Sequence, residues 1–223
     1  MSLSVLEVGD MNIHCFTVGP FLEHTYIVSD PESKEAIVID PGGENEKILK
    51  YLKEKELHLK GIYSTHGHID HVAGAYELHQ LTQIPYRLNV KDKFLLDELP
   101  TISAYFGFSD IKIPVIHSTI EEGETIELGK QKINVIATPG HTPGGLCYFT
   151  EGNILVGDTL FQGSIGRTDL PGGNHEELLQ SIKTKLLTLD DKLTVFCGHG
   201  PKTTIGREKE FNPFLIKGHS RFL

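Results

Sequence analysis

The chain has 223 residues, of which 39% are hydrophobic and 23% charged, with 23 glycines and 11 prolines. That composition supports a sizeable core and excludes a disordered, collagen-like or coiled-coil chain. A formal net charge of −9 argues against a nucleic-acid backbone or an anionic membrane as the partner.

The first third is strand-like. Ile13 to Val18, Thr25 to Val28 and Ala36 to Ile39 are short β-rich runs, bounded by Gly19-Pro20, Asp30-Pro31 and Pro41-Gly42-Gly43. Glu44 to Leu57 carries Ile48, Leu49, Leu52 and Leu57 among charges, which predicts a helix. Gly61 to Ser64 reads as a strand, and Asp70 to Leu81 as a helix with Val72, Ala75, Leu78 and Leu81 as its apolar stripe. Ile84 to Leu88 returns to strand, and residues 91 to 118 form a less regular insert of helix and loop. Two hairpins follow: Thr125 to Leu128 with Lys132 to Ala137 around Gly129-Lys130, and Gly145 to Thr150 with Asn153 to Val156 around Glu151-Gly152. His175 to Leu187 is predicted as a helix capped by Asn174, and Leu193 to Cys197 as the last strand. Mixed strands and helices without strict alternation predict an α/β (α+β layered) fold. Two halves meet near residue 120, and the expectation is one domain over residues 1–223.

Cys15, Cys147 and Cys197 are odd in number and form no CxxC, so buried thiols in a reducing compartment are expected rather than disulfides. The opening MSLSVLEVGDMN lacks a basic segment followed by a long apolar stretch, and no window approaches 18 apolar residues. A cytoplasmic protein with no membrane partner is the expectation. The sequence does not set the oligomeric state.

The chemistry is carried by histidine, of which there are 12. Thr65-His66-Gly67-His68-Ile69-Asp70-His71 follows one strand and opens a helix. A chain of this composition yields roughly 0.002 matches to HxHxDH by chance. Alternate residues of an extended turn point together, so His66 and His68 face one point, while Asp70 and His71 face a neighbouring one. Imidazole with carboxylate suits zinc, iron or manganese. His141 in Thr138-Pro139-Gly140-His141-Thr142-Pro143-Gly144, Asp158 in Val156-Gly157-Asp158-Thr159, and His199 in Cys197-Gly198-His199-Gly200-Pro201 each stand at a strand end among glycines. Strand ends are where sites are grafted. There is no GxSxG elbow, no phosphate-binding GxxxxGK[ST] and no complete GxGxxG.

THGHIDH, PGHTPG, GD and GHGP, in this order, resemble the metallo-β-lactamase superfamily over nearly the whole chain. Gly157 to Phe161, Gly163 to Asp169, Thr203 to Gly206 and Asn212 to Leu215 are similar to its glyoxalase II-like branch, of the short single-domain bacterial type. The resemblance implies an αββα sandwich with a site along one edge of two sheets. It implies two divalent metal ions per chain, zinc first and iron or manganese as alternatives. His66, His68 and His141 would hold one, Asp70, His71 and His199 the other, and Asp158 would bridge them. Asp70 and Asp158 would be the catalytic carboxylates. The β-lactamases proper usually carry Cys where Asp158 stands, which disfavours antibiotic hydrolysis. Two metals sharing a water lower its pKa towards about 7. A thiolate leaving group, with a pKa near 8.5, needs little acid assistance.

The expected function is therefore hydrolysis of a small-molecule thioester such as S-D-lactoylglutathione. One departure weakens the glutathione preference: 24 residues follow His199, too few for the helical region with which larger glyoxalase II enzymes bind glutathione. Two alternatives stand beside it. One is a persulfide dioxygenase with a single iron on His66, His141 and Asp158; the other is a non-catalytic metal-binding or interaction domain. Asp40, in Ile39-Asp40-Pro41-Gly42-Gly43, is expected to be structural or to orient a ligand histidine. Arg167 is a candidate contact for an anionic substrate. Cys147 and Cys197 are expected to be buried, with Cys197 a candidate to sit behind the ligands. His14, His24, His58, His79, His117, His175 and His219 have no ligand spacing.

Overall fold

The computed structural model describes residues 11–107 and 111–216. Strands β1 (Asn12–Val18), β2 (Glu23–Ser29) and β3 (Glu35–Ile39) lead into helix α1 (Asn45–Glu54) and strand β4 (His58–Tyr63). Helices α2 (Ile69–Val72) and α3 (Ala75–Thr82) precede β5 (Tyr86–Arg87). A 3-10 turn at Val90–Asp92 starts the insert, which holds α4 (Lys93–Asp97) and α5 (Leu99–Tyr105). Strands β6 (Thr125–Leu128), β7 (Gln131–Ala137), β8 (Leu146–Thr150) and β9 (Asn153–Gly157) form the two expected hairpins. A small ribbon, β10 (Leu160–Phe161) with β11 (Ser164–Ile165), comes next. Helix α6 (His175–Ser181), continued by a π-turn over Ile182–Leu186, leads to β12 (Thr194–Cys197), β13 (Thr203–Thr204) and α7 (Ile205–Phe211).

The strands make two mixed sheets, ordered β1-β2-β3-β4-β5 and β13-β12-β9-β8-β7-β6. Residue alternation explains the layering. In β2 and β3, Tyr26, Val28, Ile37 and Ile39 point into a cluster shared with Leu146, Tyr148 and Leu155 of the second sheet. The intervening Ile27, Ala36 and Val38 point the other way, onto Ile48, Leu52, Val72 and Leu78 of α1 to α3. On the far sheet Cys147, Ile154 and Val156 meet Leu178 and Ile182 of α6 and the turn after it. Three apolar layers separate four structural ones, which is the αββα sandwich. Leu155 is fully buried between the sheets. Leu155→Ala is expected to cost about 2–5 kcal/mol, read as a lowered urea midpoint at unchanged slope.

Several expectations are corrected. The helix expected over Asp70 to Leu81 is two helices, because the Gly74 N–H leaves the helical ladder and donates to the Pro41 carbonyl (2.8 Å). Leu81 is 58% exposed. An i, i+3 stripe slips by about 60° per step on a helix of 3.6 residues per turn, so its last member leaves the buried face. Cys15 is exposed on edge strand β1, whereas Cys147 and Cys197 are buried as expected. Asn174 does cap α6, its side chain accepting from the Glu177 N–H (3.1 Å). The reading of residues 1–10, and that of His219, lie outside the described residues. Among the described residues no helix is long and apolar enough to cross a membrane.

Candidate metal centre

The two sheets are pinned together along one edge. The Leu146 N–H donates to the Thr65 carbonyl and the His24 N–H to the Gly198 carbonyl, both at 2.8 Å. The Tyr148 hydroxyl donates to the Ser64 carbonyl (2.9 Å). Glu23 and His199 form an antiparallel bridge between the sheets. This stitching brings the loop after β4, the loop after β7 and the ends of β9 and β12 to one place.

All seven residues expected as ligands meet there. One ligand atom from each of His66, His68 and His141 lies within 4.8 Å of the others. The same holds for Asp70, His71 and His199, and for His66, His71 and Asp158. Asp158 stands between the first two groups. Its Oδ2 is 3.7 Å from His141 Nε2 and 3.6 Å from His199 Nε2, and its Oδ1 is 3.4 Å from His71 Nε2. His199 Nε2 is 3.2 Å from Asp70 Oδ2.

The outer nitrogens of four of the five rings face oxygen. His141 Nδ1 donates to the Arg167 carbonyl (2.7 Å), and His199 Nδ1 to the Phe21 carbonyl (3.1 Å). The Thr65 hydroxyl donates to Asp40 Oδ2 (2.8 Å) and so accepts from His66 Nδ1 (3.0 Å). His71 Nδ1 lies 3.0 Å from Asp40 Oδ2. With Nδ1 turned to these oxygens, the Nε2 atoms of His66, His141 and His199 face inward. His66 Nε2 and His141 Nε2 are then two bare acceptors only 3.3 Å apart, which repel unless a cation lies against both. His68 Nε2, His71 Nε2 and Asp158 Oδ1 are buried without a hydrogen-bond partner. Buried polar atoms seldom go unpaired, and a cation would satisfy all three.

The electrostatics agree. Burial, aided by neighbouring imidazoles, holds His66 well below the ordinary histidine value, and brings His68 to about 3. Both stay neutral and keep a lone pair for a metal. Burial opposes charge on His71, but the carboxylates of Asp40, Asp158 and Asp70 outweigh it and raise His71 well above the ordinary value. That end of the site therefore favours positive charge. Burial works against ionisation of Asp158, yet His71, His141 and His199 hold its carboxyl below the usual range.

Metal-free protein should lose stability as pH falls from about 6.5 towards 3. The unfolded chain takes up a proton on His68 in that window that the folded chain refuses. The difference in urea midpoint between chelator-treated protein and its His68→Ala variant across pH checks this; parallel profiles would refute it.

The closeness of the walls has a sequence cause. A Cβ on Gly198 would stand 2.2 Å from Asp158 Oδ1 and 2.8 Å from His71 Cε1, so only glycine fits beside His199. A cleft of ≈ 150 Å³ opens beside Asp70, lined by Val18, Pro20, Phe21, Ile69 and Ala73. The guanidinium of Arg167, 61% exposed, pairs with Asp169 (2.7 Å), while the Arg167 backbone braces His141. Glu23 escaped the motif reading. It is buried 3.7 Å from His71 Nδ1, and burial raises its carboxyl well above the ordinary value. No ligand spacing announces it in the sequence.

Comparison with known proteins gives concordant findings. The sequence model of the family described as "Metallo-beta-lactamase superfamily" matches residues 18–199. The chain is 42% identical over 209 residues to "Hydroxyacylglutathione hydrolase GloC" of Haemophilus influenzae, covering 92% of this chain and 98% of that protein. Among solved structures it is similar to BLEG-1 B3 metallo-β-lactamase, with a TM-score of 0.84 and 36% identity over 92% of this chain and 99% of that one. It is also similar to TTHA1623 in a di-iron-bound form, with a TM-score of 0.82 and 35% identity over 91% of this chain and 100% of that one.

Proposed function

The chain belongs to the metallo-β-lactamase superfamily, and on that premise we propose that it is a metal-dependent hydrolase of the glyoxalase II-like type, cleaving a thioester such as S-D-lactoylglutathione. The observation that carries this is the set of imidazoles gathered around Asp158, with His66, His141 and His199 braced from behind through Nδ1 and His71 Nδ1 facing Asp40. His66, His68 and His141 would hold one divalent ion and Asp70, His71 and His199 a second, with Asp158 between them. Bound there, such ions supply a Lewis acid for the developing oxyanion and bring the pKa of water towards about 7.

The chain's own part is positional. The Arg167, Phe21 and Thr65 oxygens fix the tautomer and tilt of three imidazoles. Asp158 carries negative charge to the centre of the site and sets the spacing of the two groups. The cleft beside Asp70 offers an apolar wall to the uncharged part of a substrate. A thiolate departs without a dedicated acid, which suits a site whose buried imidazoles His66 and His68 stay unprotonated. The likeness to GloC supports the thioester; the likeness to BLEG-1 favours a second reading, opening of a β-lactam ring.

Zinc-, iron- and manganese-loaded protein should hydrolyse S-D-lactoylglutathione far faster than a His68→Ala variant loaded alike. Equal rates would overturn the thioester reading. Turnover of a chromogenic cephalosporin alone would establish the β-lactam reading instead. One iron per chain, with oxygen consumption on glutathione persulfide, would identify a dioxygenase.

A further inference from the structure

The insert opens with a carboxylate in an unusual place. Asp92 closes the 3-10 turn Val90–Asp92 and is fully buried. Its Oδ2 accepts from the Gly67 N–H (2.9 Å) and from the Thr142 hydroxyl (2.7 Å), and its Oδ1 accepts from the Gly144 N–H (2.6 Å). Gly67 lies between His66 and His68, and Thr142 follows His141. One side chain, contributed by neither loop, therefore ties together the two loops that present the three-histidine group.

The approach is tight on both sides. A Cβ on Gly67 would stand 3.0 Å from the Asp92 Cβ, and one on Gly144 would stand 2.6 Å from its Cγ and Oδ1. The glycines of HGH and TPG thus let the carboxylate reach backbone that any larger residue would hold away. Isolating a carboxylate from water is costly unless it is well hydrogen-bonded. Burial raises the Asp92 carboxyl above its ordinary value, and the bonds from Thr142, Gly144 and Gly67 work against that rise. Joining two backbone N–H groups and a hydroxyl from separate loops is a task for a group with two acceptor oxygens and no donor.

We infer that Asp92 is a positioning residue that sets the spacing of the His66–His68 loop against the His141 loop, and thereby the affinity of the ion those three histidines would hold. This rests on the metal reading of that trio. It gives the start of the insert a share in the site, since α4 follows directly from the clamp. Asparagine at position 92 has one acceptor and one donor in place of two acceptors, so it would set an N–H against the Gly67 N–H or the Gly144 N–H. Supporting carboxylates of this kind change metal affinity by about 10–100-fold.

The test uses Zn²⁺ titrated into chelator-stripped full-length protein against a competing chelator. In a His199→Ala background, which leaves the trio intact, Asp92→Asn should weaken zinc binding by about 10–100-fold. In a His68→Ala background, which leaves the Asp70, His71 and His199 group, it should change affinity less than about twofold. Thr142→Val, which removes one of the three bonds and keeps the shape, should weaken the trio by a smaller factor. A purely structural role would weaken zinc equally in both backgrounds, and that result overturns the proposal, as does unchanged affinity in the His199→Ala background. Failure of the otherwise unmodified protein to take up zinc would instead overturn the metal reading, and the role of Asp92 with it.

Discussion

Asp158→Ala is expected to abolish turnover and to lower the metal content of the purified protein below that of the unmodified chain. Among the described residues Asp158 is the carboxylate that stands between the two groups, 3.7 Å from His141 on one side, and 3.4 Å and 3.6 Å from His71 and His199 on the other. Removing it leaves imidazoles crowded around an uncompensated centre. His66 Nε2 and His141 Nε2, 3.3 Å apart, then lose the negative charge that helps a cation settle between them. The loss in kcat/KM should reach about 1,000-fold or more, roughly 4 kcal/mol of transition-state stabilisation. Its Oδ1 has no hydrogen-bond partner, and both oxygens face the imidazoles of His71, His141 and His199. Circular dichroism of metal-free protein should keep the unmodified protein's shape, which separates loss of the site from loss of the fold. Full metal occupancy with undiminished turnover would show that Asp158 does not join the two groups.

Asp40→Ala should damage both stability and metal binding. Its Oδ1 accepts from the Thr65 N–H (2.6 Å) and its Oδ2 from the Thr65 hydroxyl (2.8 Å), while Oδ2 also lies 3.0 Å from His71 Nδ1. Its own carbonyl accepts from the Thr25 hydroxyl (2.6 Å), and its backbone sits at φ 54°. A short polar residue tolerates that left-handed conformation better than alanine does. Alanine would leave the buried Thr65 N–H unpaired, at a cost of about 1–3 kcal/mol. It would also free the Thr65 hydroxyl that holds His66 Nδ1 and remove the charge behind His71. Zinc affinity should fall by about 10–100-fold. Denaturant unfolding of metal-free protein and zinc titration read the two effects separately. If both stay at the unmodified level, Asp40 neither braces His66 nor supports His71.

The strands were legible because a short apolar run bounded by turn residues is a local property. Tyr26, Ile27 and Val28, or Leu146, Cys147 and Tyr148, are apolar on both faces because each strand is covered by a sheet on one side and helices on the other. The hairpin turns at Gly129-Lys130 and Glu151-Gly152 fell where glycine marked them. The break between α2 and α3 was not legible, since the Pro41 carbonyl that draws off the Gly74 N–H lies more than thirty residues earlier in the chain.

The seven candidate ligands were found from sequence because metal chemistry restricts residue type and spacing, and a short loop such as HGHIDH already orients its own side chains. Sequence alone also gave Asp40 as a residue that could orient a ligand histidine. Only the tertiary structure decided which ring nitrogens face inward, because the braces on His141 and His199 are backbone carbonyls that any residue type could supply. Only it placed Glu23 behind His71, and Asp92 between two loops. Those roles arise from packing two sheets edge to edge, which brings together atoms that no local pattern relates.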